Sequence, residues 1–189
     1  MEIKCLINKF VYSFFLLTMA WLAQADTEVD HLFMLQAQLG ESRGVCFDIP
    51  GYRATIDLNI PINAHTCKPN PDAREDMIFR LDYPSVGNIY NTEYEVCLDT
   101  VESVDRGSVY MRACTDSATQ KFDRAASGEL KPMGSDLCLA VSPSPWHPAV
   151  LAGVVPEPGV TFTAKAMSLA PCDDVADELK SWAFQIHTL

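Results

Sequence analysis

Apolar and polar positions alternate along this chain in short runs, and the clearest runs are built around cysteines. Gly44-Val45-Cys46-Phe47-Asp48-Ile49, Glu95-Val96-Cys97-Leu98-Asp99-Thr100 and Asp136-Leu137-Cys138-Leu139-Ala140-Val141 share the form x-[Val/Leu]-Cys-[Phe/Leu]-x-x. Each reads as a short strand with one face buried. A second cysteine follows each run, in His65-Thr66-Cys67, Arg112-Ala113-Cys114 and Ala170-Pro171-Cys172. Beyond it comes an apolar patch with an aromatic: Met77-Ile78-Phe79, Gln120-Lys121-Phe122, Trp182-Ala183-Phe184. Glycine-led strands, Gly87-Asn88-Ile89-Tyr90 and Gly128-Glu129-Leu130-Lys131, lead to the second and third cysteine runs. Phe33-Met34-Leu35-Gln36 stands in the same place before the first. Only 173–180 reads as mildly helical. Turn residues separate everything else, which predicts an all-β fold.

The first cysteines of the units lie 51 and then 41 residues apart, so three units fit the chain, at about 33–86, 87–127 and 128–189. The chain opens on a strand and stops after the third aromatic patch, a permuted arrangement that closes a ring. Three units of about four strands make a β-trefoil, a six-stranded barrel capped by three hairpins. Its core is expected to hold Val45, Phe47, Phe79, Val96, Leu98, Phe122, Leu137, Leu139, Trp182 and Ile186.

The opening 1–25 has the three parts of a secretory signal: Lys4 and Lys9, the apolar run Phe10 to Leu22, and the cleavage triplet Ala23-Gln24-Ala25. The apolar run is short for a membrane span, which takes roughly 20 residues. The mature chain is then 26–189, a single domain that is secreted or periplasmic, with no membrane insertion after cleavage. Cys5 leaves with the signal, so six of the seven cysteines remain. An even count in an exported chain reads as disulfides. In the repeat register each pair joins neighbouring strands of one unit: 46–67, 97–114 and 138–172.

Charge narrows the partners. With 25 Asp and Glu against 14 Lys and Arg, the chain carries −11 and lacks the basic face that nucleic acid requires. The histidines at 31, 65, 147 and 187 have no metal-ligand spacing, and oxidised cysteines are not zinc ligands. No nucleophile-elbow, phosphate-loop or dinucleotide pattern occurs. Neither an enzyme, a metal nor a cofactor is therefore expected.

The repeated Cys-[Phe/Leu]-Asp, second Cys, Gln-x-[Phe/Trp] and Gly-x-[Ile/Leu] signals resemble the ricin B-type lectin β-trefoil. Cys97-Leu98-Asp99, Cys114, Gln120-Lys121-Phe122 and Gly128-Glu129-Leu130 carry the clearest copy, and the resemblance spans about 33–189. It implies a metal-free, shallow sugar site in each unit. An Asp two residues after the first cysteine accepts hydrogen bonds from vicinal hydroxyls. An aromatic two residues before the second cysteine stacks on the sugar's C–H face. A polar group sits two residues before that, and an amide near the Gln-x-Trp motif completes the set. The first unit offers Asp48, Asn63 and His65, and the second Asp99, Tyr110, Arg112 and Gln120. The third has Ala140, Ser168 and Ala170 at these places and is expected to bind nothing in this manner. Each Asp can equally cap its own turn, and Gln120 can pin its own hairpin.

The third unit is stretched, its cysteines 34 positions apart against 21 and 17. The excess is a proline-rich insert, 142–160, which should be extended. Its Trp146 offers a binding platform or, alternatively, folds back over the barrel mouth. Two functions are thus in view: a secreted lectin for galactose-type or related glycans, or a non-catalytic trefoil with decayed sugar sites that binds a protein.

Overall fold

The computed structural model describes residues 29–145, 147–148 and 161–187. The expected signal segment and Trp146 lie outside them. In chain order the strands are β1 (Asp30–Leu35), β2 (Val45–Asp48), β3 (Asn63–Thr66), β4 (Ile78–Leu81), β5 (Ile89–Asn91), β6 (Val96–Asp99), β7 (Tyr110–Ala113), β8 (Phe122–Arg124), β9 (Leu130–Pro132), β10 (Leu137–Val141), β11 (His147–Pro148), β12 (Thr163–Pro171) and β13 (Trp182–Ile186). The architecture is all-β, with short 3-10 turns between strands. The stretch 173–180 holds two such turns, Cys172–Asp174 and Asp177–Leu179, rather than a helix.

The fold is a β-trefoil. β13, β1, β4 and β5 pair antiparallel in that order, and β8 pairs with β9. These six strands form the barrel. β2–β3, β6–β7 and β10–β12 are the three cap hairpins. Disulfides Cys46–Cys67, Cys97–Cys114 and Cys138–Cys172 each tie one hairpin, with Cα atoms 5.0, 5.0 and 4.9 Å apart.

Alternation explains the core. Val45 and Phe47 of β2, Val96 and Leu98 of β6, and Leu139 and Val141 of β10 point inward from equivalent strands. Phe47 lies between Phe79, 5.1 Å away at 89°, and Trp182, 5.7 Å away at 88°. Edge-to-face pairs of this kind add to the large apolar area each ring buries. The Trp182 indole also donates to the Leu139 carbonyl at 3.2 Å, tying β13 to the third hairpin. Two expected core residues need revision. Leu137, the first residue of β10, is half-buried. Ile186 is 66% exposed. It shares a strand face with Trp182 and Phe184 but pairs with His31 at the far end of the ladder, beyond the filled interior.

β12 departs from threefold symmetry. Its second half pairs with β10 inside the third hairpin, from Met167↔Val141 to Pro171↔Leu137. Its first half pairs with β3 of the first unit, from Ala164↔His65 to Ala166↔Asn63. β11 adds a short pairing on the same half, with His147 opposite Ala164. The stretched third unit therefore reaches over and extends the first unit's hairpin.

Candidate functional site

Equivalent positions in the three hairpins face each other in register. Asp48 is opposite Asn63, Asp99 opposite Tyr110, and Ala140 opposite Ser168. Two residues along, each first cysteine is opposite the expected platform position: His65, Arg112 and Ala170. Alternation puts all four positions of a hairpin on one outward face. The three faces have very different surroundings.

In the second unit the face is open. Asp99 is half-buried and its carboxylate is held from two sides. Oδ1 accepts from the Val101 amide at 2.7 Å, and Oδ2 accepts from Gln120 Nε2 at 2.9 Å. Gln120 is itself buried and saturated. Its Nε2 also donates to the Ala113 carbonyl at 3.0 Å, and its Oε1 accepts from the Thr115 amide at 2.7 Å. Gln120 thus pins the hairpin and orients the carboxylate, with no N–H left for a ligand. The Arg112 guanidinium lies 4.5 Å from the Tyr110 ring centre and donates to the carbonyls of Leu58 and Met111. Arg112 therefore backs one face of Tyr110 and anchors it to the first unit, and Tyr110 is the ring that meets the surface.

Tyr110 borders an open cleft of about 260 Å³ formed with Thr100, Val101, Glu102, Val104 and Ser108. The loop carrying these residues is fixed from both neighbouring units. Arg106 N donates to the Leu169 carbonyl at 2.8 Å, Leu169 N to Gly107 O at 2.9 Å, and Ile62 N to Val109 O at 2.9 Å. Val101 has φ +55°, a left-handed conformation that β-branched residues avoid. It is also 53% exposed, so burial does not explain the strain. Such strain costs on the order of 1–3 kcal/mol and gathers at binding sites. The loop residues carry no recognisable motif. The one signal for them was position, immediately between Asp99 and Tyr110.

In the first unit the same face is closed. Asp48 and His65 are 3% and 2% exposed. The Lys68 ammonium pairs with Asp76 beside Asp48 and lies 4.8 Å from the Tyr52 ring centre. Burial, reinforced by the Asp76 charge, pushes the Asp48 carboxyl well above the usual carboxylate range. Burial also raises Asp76 to about 6, against the pull of Lys68. His65 stacks on Phe162, with centroids 5.4 Å apart, and Arg43 lies 4.9 Å from the same ring while donating to the Thr161 carbonyl at 2.5 Å. His65 Nδ1 donates to the Thr66 carbonyl at 2.7 Å, and burial drives its pKa down to about 4. Asp48 Oδ1, Asn63 Oδ1 and His65 Nε2 are buried with no hydrogen-bond partner among the described residues. The first-unit residues are together, but the segment around Lys68–Asp76 and the incoming β12 cover them.

In the third unit Ala140 and Ser168 offer no carboxylate or ring. The Glu129, Cys138 and Cys172 side chains come close enough to hold an ion, but the two sulfurs are joined in a disulfide. Among the described residues no helix is long and apolar enough to cross a membrane.

No protein-family model matches the chain, and no curated protein matches it in sequence. Solved structures do match in fold. A cytolethal distending toxin structure from Actinobacillus actinomycetemcomitans aligns with TM-score 0.57 at 14% identity, over 88% of this chain and 96% of that one. The agglutinin of Abrus precatorius aligns with TM-score 0.56 at 16% identity, over 85% of this chain and 48% of that one. The β-trefoil lectin of the Vibrio vulnificus hemolysin/cytolysin, solved with N-acetyl-D-lactosamine bound, aligns with TM-score 0.51 at 11% identity, over 87% and 98%. At these identities the likeness is one of fold.

Proposed function

We propose that the protein is a secreted lectin that binds galactose-type or related glycans, without metal, through its second unit. The observation that carries this is the Asp99 carboxylate, held by Val101 N and Gln120 Nε2 beside the half-exposed Tyr110 ring. A carboxylate with free lone pairs accepts from two sugar hydroxyls, and an adjacent ring covers the apolar sugar face. The fixed cleft loop adds Glu102 and Ser108 as further polar contacts. One shallow site binds weakly, so avidity would come from several copies. The fold shared with the lectin that holds N-acetyl-D-lactosamine supports the reading. The first unit contributes frame rather than contact, because its Asp48 and His65 are covered.

The closed first unit and the empty third favour a second reading, a non-catalytic trefoil that binds a protein. The expected site for that, the proline-rich insert, falls largely outside the described residues. A glycan array of the oxidised mature chain, run beside Asp99→Ala and Asp48→Ala, separates the readings. The lectin reading expects binding lost in Asp99→Ala and kept in Asp48→Ala. No binding by the unaltered chain at any glycan density sinks it.

A further inference from the structure

The loop that follows Asp99 is built inside out. Thr100 turns inward and is 1% exposed. Its Oγ1 donates to the Thr119 carbonyl at 3.2 Å and stands 3.3 Å from Ser103 Oγ, and its amide donates to the same carbonyl at 3.0 Å. The valines turn outward: Val101 is 53% exposed and Val104 49%. Apolar side chains left in water contribute nothing to folding. Single exposed valines are ordinary, but these two line one cleft.

Both valines are held in place. The Val101 amide donates to Asp99 Oδ1 at 2.7 Å, with φ at +55°. A left-handed, water-facing position takes glycine or asparagine more cheaply than a β-branched residue. Val104 is seated on Gly107, where an added Cβ would meet Val104 O at 2.8 Å and Val104 Cγ2 at 3.4 Å. Gly107 N donates to Val104 O at 2.9 Å, and Leu169 N to Gly107 O at 2.9 Å clamps this turn to the third unit. An apolar wall that is already fixed meets a ligand without an ordering cost.

The wall is continuous with the sugar face. The amide of Val101 holds the carboxylate proposed to take sugar hydroxyls, and both valines line the cleft that Tyr110 borders. Tyr110 serves the apolar face of the sugar ring, which leaves the valines for an apolar group beyond the ring. Sugars carry such groups on the anomeric oxygen. We propose that Val101 and Val104 form an aglycone subsite, so that the protein takes glycosides with an apolar aglycone in preference to the bare sugar. The inference rests on the sugar-binding reading and names the substrate class of that site.

Isothermal titration of the oxidised mature chain with methyl and octyl β-D-galactopyranoside, the latter below its micelle concentration, tests it. The octyl glycoside should bind at least about fivefold tighter, from partial burial of two valines. Val101→Thr with Val104→Thr keeps both branched shapes and exchanges one methyl of each for a hydroxyl. It should bring the ratio of the two affinities close to one. Asp99→Ala should lose both glycosides. Phosphatidylcholine vesicles with and without galactosylceramide identify the source of the apolar group. Co-sedimentation with the galactosylceramide vesicles alone assigns the subsite to a membrane glycolipid, and its absence beside an intact octyl preference assigns it to a free glycoside. Equal affinity for the two glycosides, or a preference kept by the folded double variant, would overturn this inference and leave the sugar reading standing. Octyl glycoside held by Asp99→Ala at full strength would overturn it too, by placing the apolar contact elsewhere. Binding of neither glycoside would overturn the galactose-type reading and this inference with it.

Discussion

Gln120 Nε2 donates to Asp99 Oδ2 at 2.9 Å, so a residue 21 positions downstream sets the direction of the carboxylate on which sugar binding is proposed to rest. The Gln120 side chain makes three bonds, to Asp99, Ala113 O and Thr115 N, and Gln120 itself is 1% exposed. Gln120→Ala leaves buried groups unpaired and should cost about 2 kcal/mol of stability in urea unfolding. It should also weaken glycan binding about tenfold while the protein remains folded. Unchanged affinity in the folded variant would show that Asp99 needs no such support.

Val101 tests whether strain serves the cleft. Glycine adopts its φ of +55° freely, so relief of strain should raise stability by about 1 kcal/mol in Val101→Gly, measured by thermal unfolding. The looser loop should bind glycan more weakly. A variant that is more stable and binds equally well would remove the functional meaning of the strain.

The buried Lys68–Asp76 pair is expected to be costly to break and cheap to replace. Lys68→Met leaves a carboxylate uncompensated at 0% exposure and should lose roughly 3–5 kcal/mol. Lys68→Met with Asp76→Leu should recover most of that loss. Equal destabilisation of the single and double variants in urea unfolding would contradict this account.

Acid acts on this region in two opposite ways. Asp48 and Asp76 have raised folded-state pKa values, Asp76 to about 6. Their contribution is full below the unfolded value near 3.8 and is lost as pH rises through the folded value. His65 is depressed to about 4, so its contribution is present above 6.5 and fades as pH falls from 6.5 toward 4. Asp48→Asn removes part of the acid-side gain. Its Tm should fall more steeply than that of the unaltered chain as pH falls from neutral toward 3.8. Parallel Tm–pH curves for the two proteins would rule out a raised Asp48.

The three disulfides close loops of 34, 21 and 17 residues. Loop entropy alone ranks their loss as Cys138–Cys172 first, about 4 kcal/mol, and Cys97–Cys114 last, about 3 kcal/mol. Serine pairs at each bridge, compared by urea unfolding, check the order.

Much of the frame was legible in the sequence because it is local. Cys-Phe-Asp and Cys-Leu-Asp place apolar residues on one strand face, and the paired cysteines name the neighbouring strand. Tyr110 and Asp99 come together for the same reason. What covers an outward face is not local. His65 looks like a platform by position, yet Phe162, 97 residues away, lies on its ring. Asp48 and Asp99 share the Val-Cys-[Phe/Leu]-Asp frame, and only folding brings Asp76 and Lys68 to Asp48. The exposure of Ile186 depends likewise on where the barrel interior ends.

β12 makes the two halves of its length belong to different repeats, with Ala164 and Ala166 laid along β3 while Leu169 and Pro171 face β10. A single repeat excised from this chain, or three identical copies of one, could not rebuild the molecule. The first repeat would lack its borrowed strand and the last would have a strand to spare. The threefold pattern of the cysteines thus coexists with repeats that depend on one another, and none of them is a self-sufficient module.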